Sequence, residues 1–147
     1  MSKGRPLVLF LCTGNSCRSQ MAEALLRHRA GDRFEAASAG LSPAPRVHPM
    51  TIRVLEQAGV DTAGLTPKSI DRFLGKQSVA HAITVCARAQ QSCPRVYPFA
   101  LHAEHWPFDD PAEFEGSEQA RLEVFLQTRD LIDERIEQWL GELVETP

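Results

Sequence analysis

Cys12 and Cys17 share the stretch LCTGNSCRSQ (residues 11–20), with Arg18 directly behind the second thiol and Ser19 after it. If this loop curls, the successive peptide N–H groups of Thr13, Gly14, Asn15, Ser16, Cys17 and Arg18 converge on one point. Gly14 would supply permissive backbone angles and Asn15 a left-handed one. A helix starting near Arg18 adds the positive end of its dipole, and a guanidinium can clamp two oxygens of a tetrahedral oxyanion. The loop therefore reads as a cradle for phosphate or an anion of its shape. The same field favours a thiolate, which makes Cys12 a nucleophile aimed at the anion's central atom, with the Ser19 hydroxyl within reach of its sulfur. The plainer alternative is a Gly/Asn turn holding two core cysteines.

A second pair, Cys86 and Cys93, lies far along the chain. Neither pair has the two-residue gap of common zinc knuckles, so no metal site is expected. Cys86 closes an apolar run and can be read as a core thiol. Cys93 sits among Gln90, Gln91 and Ser92, a poor setting for a merely buried one. Were residues 86–93 helical, the two cysteines would lie roughly 10 Å apart, beyond disulfide reach, so their pairing requires local unwinding. In FDDPA (residues 108–112) Asp110 directly precedes proline, with Asp109 as its neighbour. Asp-Pro is ordinary turn chemistry, and it also places a carboxyl where a leaving oxygen could take a proton. The five histidines, His28, His48, His81, His102 and His105, show no metal spacing and are assigned to surface or core.

Alternating strands and helices position these groups. Leu7–Leu11 is a continuous apolar run, as in a strand buried on both faces, and a helical pattern follows through Met21, Ala24, Leu25 and His28. Phe34–Ser38 is a second strand. A helix from about Pro49 carries Met50, Val54 and Ala58 before Gly59 ends it. Val79–Val85 and Val96–Leu101 read as third and fourth strands, and a last helix stripes Phe125, Thr128, Ile132, Ile136, Trp139 and Leu143 along one side. The Pro-rich patch from Ser42 to Pro49 reads as one surface loop. The pattern predicts an α/β fold, a three-layer sandwich around a central, mostly parallel four-stranded sheet, with ligands at the carboxyl ends of the strands.

Length and composition set the frame. With 147 residues, 43% of them hydrophobic, one domain spanning 1–147 is expected. A net charge of -3 supplies no basic field for nucleic acid. The apolar run Leu7–Cys12 is too short for a membrane span or a signal-peptide core, so no membrane partner is expected and the cytoplasm is the expected compartment. Thiols are kept reduced there, which favours catalytic or redox cysteines over structural disulfides.

At these residues the chain resembles a known family. VLFLCTGNSCRSQMAEALL (8–26) is similar to the opening of the low-molecular-weight protein tyrosine phosphatase superfamily, most closely its thioredoxin-coupled arsenate reductase branch. The resemblance continues through SAG (38–40), TVCARAQQSCP (84–94) and EHWPFDDPA (104–112). It implies a low-molecular-weight phosphatase-like fold and an arsenate site in the loop Thr13–Ser19. It also implies attack on arsenic by Cys12, attack on the Cys12 sulfur by Cys86, and transfer of the disulfide to Cys86–Cys93, with Arg18 holding the anion and Asp110 as general acid. Electrons come from thioredoxin, no cofactor is needed, Cys17 has no part in the relay, and a monomer is the expected state.

One departure concerns a potassium site that several reductases of the branch build from positions matching Asn15, Glu23, Ser38 and an aspartate. Aligned on TPKSID (66–71), the last position here is Lys68, whose ammonium would stand where the cation does. Indifference to potassium is the resulting expectation.

Two rival functions remain. A phosphatase would use the same loop and acid, with water resolving the intermediate, but Ala112 and Glu113 follow the Asp-Pro instead of the aromatics the resemblance leads one to expect, and Tyr97 lies elsewhere. A non-enzymatic oxyanion or arsenite binder would leave Arg18 and Asp110 without a purpose.

Overall fold

A computed structural model describes residues 4–87 and 100–145. Four strands, β1 (Leu7–Cys12), β2 (Glu35–Gly40), β3 (Val79–Thr84) and β4 (Ala100–His105), form one sheet in the order β2-β1-β3-β4. All three pairings are parallel. Helices α1 (Arg18–Ala30), α2 (Pro49–Gln57) and α3 (Glu118–Glu145) alternate with them, with short 3-10 turns at Ile70–Arg72 and Pro111–Glu113.

β1 is wholly buried because it is paired on both edges and packed on both faces. Its side chains alternate, so Val8, Phe10 and Cys12 enter one core with α1, Val54, Phe125, Ile132 and Ile136. Leu7, Leu9 and Leu11 enter the other, with Ile70, Phe73 and Val79. On α3 the stripe Phe125, Thr128, Ile132, Ile136 and Trp139 is buried as its spacing predicts. His28, by contrast, is exposed on α1, so that helix's buried face is set by Met21, Ala24 and Leu25.

Several expected boundaries move: the first strand runs one residue further, to Cys12, the second is Glu35–Gly40 rather than Phe34–Ser38, and the third stops at Thr84. The fourth strand is Ala100–His105 rather than Val96–Leu101, and residues 96–99 lie outside those described. β4 is an edge strand paired only with β3, so it is largely exposed and lacks the continuous apolar run that marks a central strand. α2 ends at Gln57, with Ala58 as its cap.

The topology decides where chemistry happens. β1 continues to β2 on one side and β3 lies on the other, so the crevice between the carboxyl ends of β1 and β3 is the switch point at which such sheets bind ligands. Cys12 is the last residue of β1, and Cys86 follows the end of β3 by two residues, where the Val85 N–H donates to the Leu11 carbonyl at 2.9 Å. Two cysteines distant in sequence thus leave neighbouring parallel strands at the same end of the sheet.

Candidate active site

The loop from Cys12 to Arg18 encloses, with Asp110, a pocket of about 200 Å³. Its inward polarity comes from what holds its carbonyls. The N–H groups of Ser42, Ala44 and His48 donate to the carbonyls of Thr13 (2.9 Å), Gly14 (2.8 Å) and Ser16 (3.1 Å). The Gln20 amide donates to the Asn15 carbonyl (3.0 Å), and the Thr51 hydroxyl also donates to Ser16 (3.2 Å). Each of these carbonyls is bound from outside, which turns the peptide N–H groups toward the pocket. The Pro-rich segment is the largely exposed loop it was read as, and its backbone is also the strap that fixes the cradle. Sequence reading missed this because the strap acts through its backbone.

Asn15 takes the left-handed conformation expected of it (φ 53°) and is fully buried. Gly14 does not need the freedom assigned to it, since its φ is not positive and a Cβ there would come no closer than 3.9 Å to the Ser16 hydroxyl. The glycine the site requires is Gly40, at the end of β2, where a Cβ would stand 2.5 Å from the Thr13 carbonyl oxygen.

Cys12 is a buried free thiol. Its sulfur lies 2.7 Å from the Ser19 hydroxyl and accepts the Asn15 N–H at 3.2 Å. The Asn15 side-chain amide donates to the same hydroxyl at 2.8 Å, so Ser19 is oriented from behind. No side chain caps α1, whose first-turn N–H groups face the loop. Arg18 is buried, with one guanidinium nitrogen donating to the Phe108 carbonyl (3.0 Å) and another 3.6 Å from an Asp110 carboxylate oxygen. The other Asp110 oxygen accepts the Ala112 N–H at 3.0 Å and caps the 3-10 turn, while Asp109 is exposed beside it. Asp110 thus serves as the expected turn residue and is also brought to the pocket.

Cys17 is free and buried, and burial pushes its thiol up to about 11. Cys86 is buried and disulfide-bonded. Cys93 and Tyr97 lie outside the described residues.

The four residues matched to a potassium site do converge, though as a closed network. The Lys68 ammonium stands 3.3 Å from one Glu23 oxygen and donates to the Thr66 carbonyl at 2.9 Å. Ser38 donates to the same Glu23 oxygen (2.7 Å) and Arg27 to the other (2.7 Å). The Asn15 side-chain oxygen accepts the Lys68 backbone N–H (2.8 Å) and the Gln20 amide (3.0 Å). The oxygens a metal ion would need are already committed to donors, so this donor set does not fit a bound cation. Among the described residues no three histidine, cysteine or acidic side chains cluster as a metal site, and no helix is long and apolar enough to cross a membrane.

Of the histidines, His48 has work the sequence did not suggest: its ring nitrogen accepts the Met50 N–H and caps α2, while its backbone holds Ser16. Burial depresses its pKa, as a desolvated imidazole disfavours the charged form.

Comparison with known proteins bears on the family and the fold. The family model described as low molecular weight phosphotyrosine protein phosphatase matches residues 7–146. An arsenate reductase of Bacillus licheniformis is 39% identical over 132 residues, covering 90% of this chain and 93% of the relative. A solved arsenate reductase in the phosphate binding state superposes with a TM-score of 0.73 at 29% identity, covering 93% of this chain and 98% of that one. A thioredoxin-dependent arsenate reductase of Corynebacterium glutamicum gives 0.69 at 30% identity, covering 100% of this chain and 66% of that one.

Proposed function

The chain belongs to the low molecular weight phosphotyrosine protein phosphatase family, and from that premise we propose that it is an arsenate reductase working through a Cys12, Cys86 and Cys93 relay that thioredoxin resets. The observation that carries the reading is the placement of Cys12 and Cys86 at the adjoining ends of β1 and β3, with the first thiol free on the floor of an anion cradle. A phosphatase needs only the first of these cysteines.

Arsenate enters the loop against inward N–H groups and Arg18. The Cys12 thiolate attacks arsenic, and an oxygen leaves as water with a proton from Asp110, whose carboxyl lies beside Arg18 at the pocket edge. Cys86 then attacks the Cys12 sulfur. A sulfur–sulfur bond forms, the sulfur–arsenic bond breaks with its electron pair going to arsenic, and arsenite leaves. Attack by Cys93 on the Cys86 sulfur frees Cys12 as a thiolate and moves the oxidation away from the anion site, where two thioredoxin thiols reduce it. A relay of this kind runs in a reducing compartment, the cytoplasm, and a single domain working as a monomer suffices for it. The step to the thiol adduct is shared with phosphoester cleavage, so a slow phosphatase side activity accompanies it.

A single turnover tests the proposal. Fully reduced protein is mixed with arsenate without thioredoxin, quenched with an alkylating agent, and its cysteines mapped. One arsenite per chain, with Cys86 and Cys93 bridged and Cys12 and Cys17 alkylated, is the expected result. No arsenite and four alkylated cysteines would overturn it.

A further inference from the structure

Cys17 is the thiol of the anion pocket that the relay leaves unused. It lines the same 200 Å³ pocket as Cys12, and both are free. Both are nearly inaccessible, at 4% and 2% exposure, so neither is a surface thiol open to any passing reagent. The Cys17 sulfur lies 3.7 Å from the Ser16 hydroxyl. Its surroundings keep it protonated at neutral pH: burial raises its pKa to about 11, hydrogen bonding to Ser16 and Thr51 opposes this, and negative charge on Asp110 and Cys12 adds to it.

A neutral thiol does not compete with Cys12 for arsenate. Trivalent arsenic makes a different demand. It is a soft centre that prefers sulfur, its hydroxyl groups leave as water on taking thiol protons, and two thiols at one site hold it far better than one. We propose that Cys12 and Cys17 together form a dithiol site for trivalent arsenic inside the anion pocket. Arsenous acid exchanges two of its three hydroxyls for the two sulfurs: two arsenic–sulfur bonds form, two arsenic–oxygen bonds break, two waters leave, and no electrons move. The loop therefore answers to both oxidation states, binding arsenate as an anion through N–H groups and Arg18, and binding arsenite as a neutral dithiol adduct that blocks Cys12. Product accumulation consequently shuts the enzyme down until free arsenite falls. That consequence rests on the arsenate reductase reading, whereas the binding itself does not.

The test uses the full chain carrying Cys86→Ser and Cys93→Ser, so that Cys12 and Cys17 are the cysteines left, reduced and titrated with sodium arsenite by calorimetry. One arsenite per chain, with both thiols protected from alkylation, is expected. Adding Cys17→Ser, or Cys17→Ala as a second variant, should weaken binding about 100-fold or more. Thermal melts establish that each variant is folded. A change below about 3-fold with Cys17 replaced, or a Cys17 that alkylates at an unchanged rate in saturating arsenite, overturns the inference. If the dithiol site binds while the unmodified protein releases no arsenite from arsenate, the reductase reading fails and the site stands.

Discussion

Replacing Lys68 by methionine isolates the cation built into this chain. The Lys68 ammonium lies 3.3 Å from a Glu23 oxygen, and the two side chains are only 11% and 5% exposed. At that separation an effective dielectric of about 20 gives roughly 5 kcal/mol of gross attraction. Desolvation of both groups offsets much of it, and Arg27 at 2.7 Å and Ser38 at 2.7 Å continue to hold the carboxylate after the change. A net loss of about 1–3 kcal/mol follows, less than the cost of stranding a charge with no other partner. For a chain of this length that is a fall in melting temperature of roughly 4–12 °C. The backbone N–H of residue 68 survives the change and still holds Asn15, which holds Ser19 against the Cys12 sulfur, so kcat/KM should fall only as far as loss of the ion pair displaces that segment. The assay is a double-mutant cycle of Lys68→Met with Glu23→Gln, read by melting and by kcat/KM for arsenate. Both are measured in sodium and in potassium chloride at equal ionic strength. The wild type should be indifferent to the swap, and Lys68→Met should gain a potassium dependence as the carboxylate seeks a new counter-ion. Marked potassium stimulation of the wild type, or a coupling energy below about 0.3 kcal/mol, would refute the reasoning.

Three further outcomes are expected. Asp110→Asn keeps an oxygen to cap Ala112 but has no proton to give, so arsenite release in a single turnover should slow by about 10²–10⁴-fold with the fold intact. Gly40→Ala pushes a methyl to within 2.5 Å of the Thr13 carbonyl and 3.1 Å of the Asn15 nitrogen, and the displaced cradle should cost about 10²-fold or more in kcat/KM. Because the folded state raises Cys17 from 9.0 to about 11, both states are protonated below pH 9 and the unfolded chain loses its proton first above it. Stability should therefore fall between pH 9 and 11 by about 3 kcal/mol more in wild type than in Cys17→Ser, as read by denaturant melts.

Much of the candidate anion loop was legible because its chemistry is local. Cys12, Arg18 and Ser19 are fixed relative to one another by a single strand–loop–helix unit, and the apolar run of β1 announces a central strand. The edge strand was misplaced because an exposed, one-sided strand carries no such run. The assignment of backbone freedom to Gly14 failed for a related reason: the residue type permits a left-handed turn, but only the packing around the loop decides that Asn15 takes it.

The sequence by itself determined the candidate reacting groups, their order along the chain and the alternation of strand and helix that delivers them, since the nucleophile, cation and acid proposed are residue types and periodicity is a local property. Tertiary structure decided what lies between distant segments. It set the Ser42–His48 backbone against the loop carbonyls, brought Lys68 to Glu23, required Gly40 beneath Thr13 and aligned the ends of β1 and β3. These are contacts of backbone atoms and of side chains remote in sequence, and no residue type encodes them until the sheet order has chosen which segments meet.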